Sequence, residues 1–206
     1  MASNNLYLLG ALGTAGAVGG GIYLASPNPK PVTTIRDKLT QDKYTPLQSG
    51  DSTNWDKVLA KYNEVKNTPT KRFTTSTETI SLENLKRDCE SSLDKETSDD
   101  LYSKVKLWCT TPRSIRERLG DLNITLLKTD GEDDNTGDKS KWAKLEGKYR
   151  DGGNSDIKNF KVDASSATDT WKKLRDECKK HLDKDRWDAE YEYYLGKVSE
   201  WCSDKG

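Results

Sequence analysis

The sequence contains four cysteines. A thiol can form a disulfide, bind a metal or attack a substrate, so these side chains could take part in more kinds of chemistry than any others in the chain. They fall into two pairs, Cys89 with Cys109 and Cys178 with Cys202, separated by 20 and 24 residues. The difference is about one helical turn, so the longer pair fits a longer hairpin that returns its second cysteine to the same face. We therefore predict one disulfide within each pair, with reduced thiols in helix cores as the alternative.

The other reactive side chains form no recognisable catalytic or metal-binding pattern. The single histidine, His181, lies in a Lys-rich segment, and we expect it on the solvated surface. Residues 130–138 resemble a calcium-binding loop, but Asn135 stands where such a loop needs Gly and Lys141 where it needs Glu, which favours an acidic, solvated turn. The cysteines lack zinc-site spacing. The sequence predicts no catalytic residue, no metal and no cofactor, and it leaves ligand-binding residues unknown.

The elements that position the cysteines occur twice, because the second half of the chain corresponds to the first and both halves end on Trp-Cys. All four cysteines fall at equivalent places. The corresponding upstream stretches are Ile35–Leu39 with Ile115–Leu119, and Trp55–Leu59 with the stretch that starts at Trp142. We predict an all-α fold of two tandem helical repeats, residues 34–109 and 114–206, with about four short helices each.

Helical spacing recurs in both halves, whereas strand signals are sparse. Each half begins with a capping box, Thr34 with Asp37 and Ser114 with Glu117. Apolar residues at helical spacing then predict the buried faces of the later helices. These residues are Trp55, Val58, Leu59 and Tyr62; Trp142, Leu145 and Tyr149; Leu82, Leu85, Cys89 and Leu93; Trp171, Leu174, Cys178 and Leu182.

The last helix of each half carries the Trp-Cys dipeptide. Because Trp108 and Trp201 both follow a valine by three residues, we expect them to be equivalent, buried core residues. Long loops are expected over 66–79 and 152–168, with a short extended piece at Phe73 or Phe160 left open.

The N-terminus differs in composition from the rest of the chain. Residues 6–24 carry no charge and as a helix would span about 29 Å, close to the thickness of a bilayer. We predict a membrane anchor over residues 1–26 and a Pro-rich spacer over 27–33. The alternatives are a cleaved signal peptide, which the lack of a preceding basic residue disfavours, and a flexible tail.

The overall charge argues against nucleic acid as a partner, because 34 basic residues balance 34 acidic ones. The mean hydropathy of −0.94 would suit a disordered chain. However, six Trp and nine Tyr lie mostly at periodic positions that recur in both halves, which favours a folded, highly solvated helical protein.

The chain resembles the lineage-specific families of paralogous proteins in haemotrophic mycoplasmas. The resemblance covers nearly the whole chain and rests on the Gly/Ala-rich apolar segment and on the stretches IRDKLTQDKYTPL, WDKVLAKYN, LKRDC and WCTTPRSIRERL. These motifs are structural, so no catalytic residue carries over. The resemblance implies a surface antigen or a host-interaction protein, with a host-surface molecule or an antibody as its partner.

These features lead to the expectation of a non-enzymatic, membrane-anchored protein whose helical part faces outside the cell. One alternative is a cytoplasm-facing helical scaffold, because Lys30, Arg36, Lys38 and Lys43 follow the apolar segment and positive flanks favour the cytoplasm. A surface hydrolase is the other alternative, although the chain lacks a recognisable catalytic set.

Overall fold

The computed structural model describes residues 33–153, 156–162 and 169–205, which belong to one compact unit. The predicted anchor, residues 1–26, lies outside these ranges, as does nearly all of the predicted spacer. The α-helices of the described ranges are α1 (Ile35–Gln41), α2 (Ser52–Glu64), α3 (Leu82–Leu93), α4 (Asp99–Trp108), α5 (Ile115–Asp121), α6 (Asp134–Gly137), α7 (Lys139–Asp151), α8 (Trp171–His181) and α9 (Tyr191–Trp201).

The prediction of an all-α fold is confirmed for these ranges. Their only pairing of extended backbone is three isolated bridges, and a 3₁₀ turn covers Pro69–Lys71. Phe73 and Phe160 lie outside helices and strands. No described helix is both long enough and apolar enough to cross a bilayer.

Helices α1 and α5 begin in the same way. The Thr34 hydroxyl accepts a hydrogen bond from the backbone N–H of Asp37, and the Asp37 carboxylate accepts one from the backbone N–H of Thr34. Ser114 and Glu117 make the same reciprocal pair. Each box satisfies two backbone donors that a helix start leaves without partners, so the local sequence fixes where both helices begin.

The two helices also end alike, on a residue in the left-handed region. Lys43 has φ 56° and Asn123 has φ 59°. The turn then closes through Tyr44 N–H to Leu39 O at 2.8 Å in the first half, with an equivalent 2.9 Å bond after α5. Asn tolerates this conformation better than Lys, because its short polar side chain can hydrogen-bond the local backbone.

Each half has its own apolar core, closed by a tyrosine and a tryptophan. In the first half the ring of Tyr62 contacts that of Trp108 edge-on, with centroids 5.1 Å apart. In the second half Tyr149 contacts Trp201 in the same way at 5.0 Å. Each tyrosine hydroxyl also forms hydrogen bonds with the backbone of the connection that follows. Tyr62 accepts from Phe73 N–H, and Tyr149 accepts from Ile157 N–H and donates to the backbone oxygen of Phe160, so both connections are tied to their cores.

Two disulfides join the cysteines as the sequence predicts, Cys89 to Cys109 and Cys178 to Cys202. They close the hairpins α3–α4 and α8–α9. All four cysteines are buried. The extra four residues of the second pair lengthen its hairpin in the connection between α8 and α9.

The expectation that Trp108 and Trp201 are equally buried is wrong. Trp108 is 1% exposed, whereas Trp201 is only partly buried at the edge of its core. The indole N–H of Trp108 donates to the backbone oxygen of Lys71, but that of Trp201 donates to the exposed carboxylate of Asp156. The physical reason for the difference lies at the junction of the two halves.

Candidate functional site

The junction is built by the connection between α8 and α9, residues 182–190, which reaches from the second half into the first. Arg186, 8% exposed, donates to the backbone oxygen of Thr110 at 3.0 Å, to its hydroxyl at 2.8 Å and to the backbone oxygen of Thr111 at 3.2 Å. Burial lowers the pKa of Arg186, because desolvation disfavours its charge. The four additional residues, 185–188, therefore act as a clasp between the halves.

Trp187 is the apolar part of this clasp. Its ring lies roughly parallel to that of Trp108, with centroids 6.4 Å apart, and it packs against the core of the first half. Its indole N–H is buried and has no hydrogen-bond partner among the described residues. The connection in the first half, residues 94–98, has no counterpart to these residues, so nothing equivalent covers Trp201.

A cleft of about 430 Å³ opens beside the clasp, and we call it the tryptophan cleft. Its apolar lining includes Val65, Leu107, Trp108 and Trp187. Charged residues of both signs form the rest, namely Lys61, Glu64, Lys71, Asp185, Arg186 and Asp188. This lining includes no Ser, Thr, Cys or His, so it offers a surface for binding but no nucleophile–histidine pair.

A second arginine crosses the junction from α5. The Arg118 guanidinium lies 3.6 Å from the ring centroid of Tyr44 and donates to the backbone oxygens of Asp42 and Lys43, both at 2.6 Å. The corresponding residue of α1, Lys38, instead pairs with Asp42 four residues on. Leu122 takes the place of Asp42 in the second half, so Arg118 has no acid four residues on, and Asp121 of its own helix pairs with Arg113 instead.

Asp42 is bonded from two sides. The Tyr102 hydroxyl donates to its carboxylate at 2.5 Å and the Lys38 ammonium at 3.1 Å. Burial tends to raise the pKa of Asp42, but these two hydrogen bonds outweigh it and the pKa is lowered. Burial and the bond to Asp42 together raise the pKa of Tyr102. Asp42 is therefore a carboxylate and Tyr102 a neutral donor at physiological pH.

The prediction of a solvated His181 is wrong. Its side chain is 12% exposed, stacks on the ring of Tyr194 at 3.6 Å and bonds the Glu177 carboxylate at 3.0 Å. Tyr194 arrives from α9 across the hairpin, so helical periodicity within α8 could not reveal it. The buried Nδ1 has no partner among the described residues. No nucleophile contacts the ring, and the contacts are those of a core residue.

The acidic stretch 130–138 forms a loop and α6 that lie against α8. Asp130 pairs with Lys179 at 2.6 Å, and Glu132 pairs with both Lys172 and Arg175. These hydrogen bonds lower the pKa values of the two carboxyls. The described residues contain no cluster of His, Cys, Asp or Glu suited to a metal. Asp130 and Glu132 thus pair with basic residues of α8, while the other carboxylates of the turn bond residues of the turn itself, of α7 or of the segment just before the turn.

No protein-family model, no curated protein and no solved structure matches this chain. The resemblance to families of haemotrophic mycoplasmas therefore stays a prediction.

Proposed function

We propose that this chain is a non-enzymatic binding protein, anchored in a membrane by residues 1–26, with its helical part outside the cell. The observation that carries the proposal is that all four cysteines are joined in disulfides. Disulfides persist in oxidising compartments and are rare in a reducing cytosol. The length and apolar character of residues 6–24 support the anchor.

We also propose that the two halves are tandem repeats, as in the paralogous families that the sequence resembles. Matched local bonds support this. Leu47 N–H donates to the backbone oxygen of Cys109 at 2.8 Å, and Leu127 N–H donates to that of Cys202 at 3.0 Å. The capping boxes, the left-handed residues Lys43 and Asn123 and the disulfides also occur at corresponding positions of the two halves.

The working surface in this proposal comprises the tryptophan cleft and the polar connections around it. Disulfide-closed hairpins hold the cores, so substitutions at the exposed positions of connections such as 66–79 and 130–138, but not at the buried Arg72, leave the helices in place. A host-surface molecule or an antibody is the partner that suits such a surface. Antigenic variation and host interaction both follow from a constant core with variable connections.

Protease treatment of intact cells that carry the full-length protein tests this proposal. We expect trypsin to remove the helical part from intact cells, and alkylation without reductant to label no cysteine. A helical part that is cut only after the cells are permeabilised, with four alkylated cysteines, would contradict an external location.

That outcome would favour the alternative, a scaffold tethered on the cytoplasmic side. The observation behind this alternative is the set of basic residues that follows the apolar segment, including Arg36, Lys38 and Lys43. Long domains can be translocated despite such flanks, and the disulfides therefore decide our preference.

A further inference from the structure

We propose that a second cleft at the junction binds a tetrahedral oxyanion, the phosphate or sulfate group of a small ligand. This cleft, of about 410 Å³, is lined by residues that include Asp42, Lys43, Tyr44, Tyr102, Lys106 and Arg118. We call it the tyrosine cleft. The inference goes beyond the proposed function, because it concerns a different surface and a defined chemical group.

The first reason is that no carboxylate of the described ranges forms a direct ion pair with Arg118. Its side chain is only 4% exposed. Its Nε is buried without a hydrogen-bond partner. A buried charge is expensive unless an opposite charge offsets it, and two backbone oxygens and the face of Tyr44 supply only dipoles and a ring quadrupole.

The second reason is the charge around Arg118. The Arg186 guanidinium lies 6.0 Å from the centroid of Tyr44, also without an ion-paired carboxylate in the described ranges. Lys43 is exposed and makes no ion pair there. Lys106 lies 5.8 Å from the same ring, and its only carboxylate partner is the exposed Glu192. Three cationic side chains thus line the cleft and a fourth lies near Tyr44.

The third reason is that the carboxylate lining this cleft is already engaged. The Asp42 carboxylate accepts from Lys38 and from Tyr102 and also attracts Arg118, so one negative charge faces the two positive charges of Lys38 and Arg118. The excess of positive charge at this cleft is local, because the whole chain has a net charge of zero. A dianion with several acceptor oxygens would complement cations that approach from different sides.

The test is a titration of the full-length protein with inorganic phosphate, with sulfate and, as the control ion, with chloride, at constant ionic strength set by acetate. Backbone amide signals of Lys43, Tyr44 and Leu122 are followed by NMR. We expect saturable shifts with both oxyanions and none with chloride. The double variant Lys43→Asn/Lys106→Gln should bind about tenfold more weakly, because two nearby charges are lost. Asn suits position 43 because the corresponding Asn123 has nearly the same φ.

The matched control is Lys144→Gln/Lys148→Gln, which removes two exposed charges from α7. It should bind like the parent, and melting temperatures check that both variants are folded. Equal affinity of the two double variants, no saturable shift, or shifts that chloride reproduces would overturn the proposal. Glycerol phosphate distinguishes the sources: tighter binding than inorganic phosphate assigns an organic ester, and weaker binding assigns the free ion.

Discussion

Trp108 and Trp201 hold corresponding positions in the two halves, yet only Trp108 is fully enclosed. Each precedes the cysteine that closes its hairpin and meets a tyrosine edge-on, at 5.1 and 5.0 Å. The difference comes from four residues elsewhere in the chain, 185–188, which carry Trp187 onto Trp108. Equivalent local sequence therefore produced equivalent local contacts, while burial depended on an insertion in the other half.

The largest expected effect is on stability when each of these tryptophans is truncated. Trp108→Ala should cost about 3–5 kcal/mol of unfolding free energy, because it empties an enclosed site. Trp201→Ala should cost about 1–2 kcal/mol, because part of that ring already faces water. Urea denaturation measures both. Equal losses would show that the clasp adds nothing to the burial of Trp108.

The two disulfides, unlike the two tryptophans, should contribute nearly equal free energies of unfolding. Replacing either pair by alanine should cost about 3 kcal/mol in the loop-entropy model, and loops closed over 20 and 24 residues should differ by only about 0.2 kcal/mol. Thermal unfolding of Cys89→Ala/Cys109→Ala and Cys178→Ala/Cys202→Ala measures the two costs. A much larger gap would indicate that the packing of the two hairpins differs, and not only their connections.

Removing the polar part of the clasp should make Trp108 resemble Trp201. Arg186→Met should cost about 1–3 kcal/mol, because the buried oxygens of Thr110 and Thr111 lose their donor. Iodide quenching should detect a newly accessible tryptophan. The exposed Arg87→Met serves as the control and should change neither quantity. Unchanged quenching in Arg186→Met would show that Arg186 is not needed to keep Trp108 covered.

The smallest expected effect is on the pH dependence of stability. It again distinguishes the two halves, because the acidic loop lies in the second half. The folded pKa values of Asp130 and Glu132 are lowered, so their contribution is present above the unfolded value of about 4 and is lost as pH falls through the folded pKa. Glu132→Gln should reduce the acid sensitivity of the melting temperature slightly, since the pair is exposed. Glu90→Gln in α3 is the control; the same change there would contradict a role for the loop.

Structural features that depend on residues three or four positions apart could be predicted from the sequence. The capping boxes at Thr34 and Ser114 and the apolar faces belong to this class, and the cysteine pairing followed from the correspondence of the halves. Contacts between distant elements could not be predicted. The burial of His181 depends on Tyr194 in the next helix, and the role of Arg118 depends on Tyr44 in the other half. In the sequence, His181 and Arg118 both look like ordinary surface residues, because each lies among charged neighbours.

The four-residue clasp also makes the halves non-interchangeable under genetic recombination. A gene that carried residues 34–109 twice would encode hairpins with short connections only, and the Trp of its first unit would lie as open as Trp201. In a gene that carried the second half twice, the clasp would meet Ser203 and Asp204 where it now meets Thr110 and Thr111. The clasp and its acceptors therefore fix the order of the two halves.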